Sequence, residues 1–114
     1  MEIVVEDKIK QNPEWDTAAY GASKMLEELL KDRTVRLAKA EWGLIWYKDR
    51  FPGFLLRVTD ELGATAEERF SLEELKDGRV LEDRLRWFCD KVLSANLHKL
   101  LARLHQTVQN LEED

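Results

Sequence analysis

From Arg79 almost to the C-terminus the chain has the pattern of a helix, yet its large apolar residues follow two lines that are out of phase. Leu81, Leu85, Phe88 and Val92 recur at spacings of four, three and four, and Leu97, Leu101, Leu104, Val108 and Leu111 recur just as regularly. At 100° per residue the centres of the two stripes lie about 140° apart around the helix axis. One straight helix cannot bury both against one body. Either the chain breaks near Ser94-Ala95-Asn96, where Ser or Asn caps a new start, or one helix runs on and presents two faces.

The consequence of a continuous helix is an exposed row of five aliphatics, larger than a monomer ordinarily keeps in water. Pairing with the same helix of a second copy about a two-fold axis covers it, as does another protein. The competing reading folds a separate last helix back onto its own domain. The interface candidates are therefore Leu97, Leu101, Leu104, Val108 and Leu111. Trp87 joins them, because it falls off the Leu81/Leu85/Phe88 stripe.

Upstream, Asn12-Pro13-Glu14 reads as a helix start: Asn12 caps free amides, Pro13 suits the first position, and Glu14 suits the positive end of the dipole. Trp15, Ala19, Ala22, Leu26 and Leu29 then form one stripe, which predicts a helix ending near Asp32. The period changes to two between Val35 and Asp49. Ala38, Ala40, Trp42, Leu44 and Trp46 share the apolar parity, with Gly43 as a bulge or a turn. Phe51-Pro52-Gly53-Phe54 reads as a turn, Phe54 to Thr59 as a second strand, and Thr65 to Phe70 as a weaker third strand at an edge. Ser71-Leu72-Glu73-Glu74 matches a capping box before Asp77-Gly78. Glu2 to Glu6 is either a short strand or an ordered arm within residues 1–11, and residues 112–114 form an acidic tail.

The fold class expected is α+β: an N-terminal helix, a three-stranded antiparallel meander, and a long C-terminal helix or helix pair packed on one sheet face. At 114 residues, 44% of them hydrophobic and 36% charged, residues 1–114 make one globular domain. A net charge of −5 argues against nonspecific binding to nucleic acid or anionic membrane. No apolar run approaches the roughly 20 residues of a membrane span. A lone cysteine rules out an internal disulfide framework and makes a reducing, cytoplasmic setting the default.

Little here suggests catalysis. His98 and His105 sit on one helical face about 10.5 Å apart along the axis, too far to chelate one metal as a pair. Cys89 has no base near it in sequence and reads as a structural thiol. The Glu27-Glu28, Glu67-Glu68, Glu73-Glu74 and Glu112-Glu113 pairs point apart, and no phosphate loop or nucleophile elbow is present. Arg33, Arg36, Lys39, Lys48, Arg50, Arg57 and Arg69 lie near aromatics, but Glu41, Asp49 and Glu67 share their face, so cross-strand ion pairing accounts for them better than nucleic acid does. The expectation is a non-enzymatic protein–protein interaction domain without cofactor, metal or membrane: an adaptor, chaperone or immunity-type inhibitor, forming a homodimer through its C-terminal helix. The alternative is a small-molecule binding domain with an aromatic pocket between sheet and helices, walled by Trp42, Trp46, Tyr47 and Phe88.

Overall fold

A computed structural model describes residues 1–113. The strands are β1 (Glu2–Val5), β2 (Leu37–Tyr47), β3 (Arg50–Asp60) and β4 (Thr65–Ser71), and the helices are α1 (Asp7–Lys10), α2 (Pro13–Leu30), α3 (Leu72–Lys76) and α4 (Gly78–Glu113). The class is α+β, as the patterning predicts. The strands, however, form one four-stranded mixed sheet in the order β1-β2-β3-β4. The meander β2-β3-β4 is antiparallel, and the N-terminal stretch adds a fourth strand, parallel to β2. Its alternation is the reason. Val5 turns inward beside Trp42 and is buried, and Glu2 faces out. Glu6 then extends the pairing with its side chain, accepting the Leu44 amide at 2.8 Å.

Helix α2 begins where its cap predicts. Asn12 Oδ1 accepts the amides of Glu14 and Trp15, and the helix ends within two residues of the expected position. Its stripe of Ala19, Ala22 and Leu26 packs on the sheet face that carries Ala40, Trp42, Phe54, Leu56 and Val58, and the first half of α4 packs there too. Inside this core Trp42 Nε1 donates to Ser23 Oγ at 2.7 Å, and Ser23 Oγ donates to the Ala19 carbonyl at 2.9 Å. The indole therefore contributes apolar area without leaving its one donor unpaired. Helix α3 starts at the expected capping box, with Ser71 and Glu74 bonding each other's amides.

Several local expectations change. The β2–β3 turn is Lys48-Asp49, both at positive φ (53° and 58°), a two-residue hairpin whose twist matches the strands. The Phe51-Pro52-Gly53 segment lies inside β3 instead. A register shift between Ile45 and Tyr47 sets Phe51 and Pro52 opposite Trp46, and Gly53 is required there, because a Cβ would stand 2.5 Å from Tyr47 Cβ. Gly43 is neither bulge nor turn: it pairs with Leu55 in unbroken strand. A second shift, between Leu37 and Lys39, takes Ala38 off the inward parity and exposes it. Trp46, expected in the core, is 73% exposed and leans on Phe51 at 5.4 Å between ring centroids. The helical cover stops short of it: Trp15, near the start of α2, meets Phe54, the partner of Leu44, one step before Trp46.

The C-terminal question has a single answer. Residues 78–113 form one helix, about 54 Å long at 1.5 Å per residue, along a molecule of 57 × 26 × 25 Å. Ser94-Ala95-Asn96 does not break it. Asn96 instead reaches across to Asp60, and the acidic tail begins while still helical, with Asp114 outside the described residues. Among the described residues no helix is long and apolar enough to cross a membrane.

Candidate interaction surface

The two stripes of α4 meet different fates. Leu81, Leu85, Phe88 and Val92 are buried in the core. Beyond Asn96 the helix leaves the body: every residue from Leu97 to Glu112 is exposed, and among the described residues Arg103 alone hydrogen-bonds back, donating to the Leu62 carbonyl at 3.1 Å. The free segment stands at the end of the molecule that holds the β3–β4 loop. The Lys48-Asp49 hairpin lies at the opposite end, since Gly53 pairs with Ser71 just before α3 and α4 begin.

Leu97, Leu101, Leu104, Val108 and Leu111 lie on one side of the free segment, and Leu100 beside them makes a sixth. All six are between 45% and 70% exposed. At 100° per residue they share an arc of about 100°. The same residues fit a heptad with Leu101 and Val108 at a, and with Leu97, Leu104 and Leu111 at d. Leu100 takes the g position, while His98, His105 and Glu112 take e. Extended upstream, the frame places Trp87, which is 75% exposed, and Val80 at a, and sets Asp83 and Asp90 at d. The sequence-derived candidates thus share one side of one helix. Leu100 and Val80 were missed because neither lies on the regular four-and-three spacing of its own segment.

The pocket candidates are not brought together. Trp42 and Phe88 are packed inside the core and Trp46 lies exposed beyond the end of the helical cover. Tyr47 alone of the four lines a surface hollow of about 620 Å³, with Lys48, Arg50, Phe51 and Glu74 among its other walls. The open face of the sheet carries paired charge, as the alternation implied. Arg57 Nη2 and Glu67 Oε1 are 2.6 Å apart across β3 and β4, and Lys39 and Glu41 are 3.6 Å apart.

One ionic cluster ties the body together. Arg84 bonds Glu74, the Arg69 carbonyl and Glu68, stacks over Phe70 at 4.7 Å, and is joined by Lys91 on Glu68. Burial pushes the Glu68 and Glu74 carboxyls up. The amides and cations around them outweigh it, holding both below the usual carboxylate range. Cys89 behaves oppposite to a nucleophile, with burial and the nearby Asp90 raising its thiol. His98 and His105 are exposed, and no group of three potential metal ligands occurs among the described residues.

Comparison with family models, curated proteins and solved structures returns no match.

Proposed function

We propose that this chain is a non-enzymatic protein–protein interaction domain that forms a homodimer through the free half of α4. One observation carries the reading: six large aliphatics line one arc of a helix that is rigidly continuous with the core and are left in water. Burying a leucine side chain is worth about 1.5–3 kcal/mol, so covering this face supplies a substantial drive to associate. An isologous pair is the simplest cover, because the heptad is its own complement. The role is that of an adaptor, chaperone or immunity-type inhibitor in the cytoplasm, where a single buried thiol stays reduced.

The test is the mass of the native protein across a dilution series, alongside the double variant Leu101→Glu/Leu104→Glu. The wild type is expected as a dimer, and the variant as a folded monomer with unchanged near-ultraviolet circular dichroism. A wild type that is monomeric at every concentration removes the self-association.

A further inference from the structure

We infer that the two copies pair with their α4 helices antiparallel, an orientation that rests on the self-association proposed above and is decided by the charges flanking the apolar seam. A parallel pair keeps equal residues level. It stacks Asp90 on Asp90 and Asp83 on Asp83 at the d layers as the helices approach the bodies, and it sets Arg86, at g, beside Lys91, at e, of the other copy. All four residues are exposed on α4, and the two aspartate layers weigh most, because Arg86 and Lys91 are each partly offset by a carboxylate of their own chain, Glu82 and Glu68. Parallel helices also align their dipoles.

Antiparallel pairing removes these oppositions. With a layers facing d layers, Leu97 lies opposite Val108 and Leu101 opposite Leu104, each pair occurring twice about the two-fold axis. Leu111 then covers Ser94. On the flank, e faces e, so Glu112 comes beside Lys91 of the second copy, and His98 beside His105. Sliding the pair by one heptad in one direction takes Leu97 out of the Leu/Val layers, and sliding it in the other sets Val108 against Asp90. The frame stated is the one that keeps all five stripe residues under the second helix with no aspartate beneath it. It carries the two folded bodies to opposite ends, with the starts of the two α4 helices roughly 75 Å apart.

Disulfide trapping in the full chain with Cys89→Ala reads the orientation directly. Ser94 and Leu111 are both exposed, so neither replacement disturbs the core. In the antiparallel frame residue 94 is level with residue 111 of the other copy, while like positions stand about 25 Å apart, far outside disulfide reach. Ser94→Cys and Leu111→Cys chains, mixed and oxidised with copper phenanthroline, are expected to give the mixed cross-linked dimer, and neither chain alone is expected to link to itself. Self-linked Ser94→Cys dimers overturn the orientation and leave the dimer standing. A sedimenting dimer with no cross-link in any mixture overturns the frame. A protein that sediments as a monomer with no cross-link overturns the self-association, and the orientation with it.

Discussion

Asn96 Nδ2 donates to Asp60 Oδ2 at 2.9 Å, and this bond marks where α4 stops being core and becomes a free helix. Asp60 is 3% exposed, and its other oxygen accepts the amides of Leu62 and Ala64, both at 2.9 Å. One carboxylate therefore shapes the β3–β4 loop and anchors the helix against it. Asp60→Ala is expected to cost about 3 kcal/mol, since it orphans three donors, and Asn96→Ala about 1 kcal/mol. Urea denaturation at a concentration low enough to keep the protein monomeric checks both values, and equal costs would refute the hub role given to Asp60.

The two stripes of α4 respond oppositely to the same change. Leu85→Ala removes a fully buried side chain and should destabilise the domain by about 2–5 kcal/mol. Leu104→Ala, at 61% exposure, should leave monomer stability within about 0.5 kcal/mol and weaken association instead. Thermal unfolding read together with sedimentation separates the two effects.

The carboxyls of Glu68 and Glu74 give the domain an acid limit, held low by the Arg69 and Ser71 amides and by Lys91 and Arg84. Glu68 and Glu74 hold their carboxyls below the ordinary range in the folded protein, so their stabilisation is complete above the unfolded value of about 4.3. It is lost as the pH falls from there through the lower folded values. Arg84→Met should cost about 2 kcal/mol at pH 7 and flatten part of the loss of stability below about pH 4.5, chiefly through Glu74, because Glu68 keeps the Arg69 amide and Lys91 that hold it low. Guanidinium-free urea titrations at pH 7, 5 and 3 measure the slope, and an unchanged slope would assign the acid sensitivity to other groups.

Two glycines of the hairpin should differ sharply. Gly53→Ala places a Cβ 2.5 Å from Tyr47 Cβ and 3.1 Å from the Ile45 carbonyl, groups held by the strand pairing, and is expected to cost about 2–3 kcal/mol. Gly43→Ala meets only the Glu6 carboxylate, at 3.5 Å, and should be close to neutral. Melting temperatures of the two variants make the comparison.

What was legible in the sequence was whatever a local pattern could carry. The Asn12 cap, the Ser71 box and the inward parity of Ala40 and Trp42 each fold as their spacing implies, since a few neighbouring residues determine them. Phe51-Pro52-Gly53 misled because its turn chemistry competes with a second candidate turn at Lys48-Asp49, and the pairing of Gly53 with Ser71 on β4, 18 residues on, holds the segment in strand. The exposure of Trp46 was equally invisible, because parity says which side a residue faces and not how far the covering helix reaches. The divergence of the two α4 stripes was legible. That Ser94 and Asn96 do not cap a new start was not legible, and the partner Asn96 takes instead, Asp60, lies 36 residues upstream where no local signal connects the two.

The unbroken course of α4 also bears on how fast the proposed dimer can form. An isolated segment the length of Leu97 to Glu113 is a marginal helix in water, burdened by a nucleation factor near 10⁻³, about 4 kcal/mol. Here the turns from Leu81 to Val92 are already locked in the core, so each turn beyond Asn96 grows from a finished template by propagation alone. The proposed binding face is thus formed before any encounter, and the association proposed above becomes a docking step of preformed surfaces.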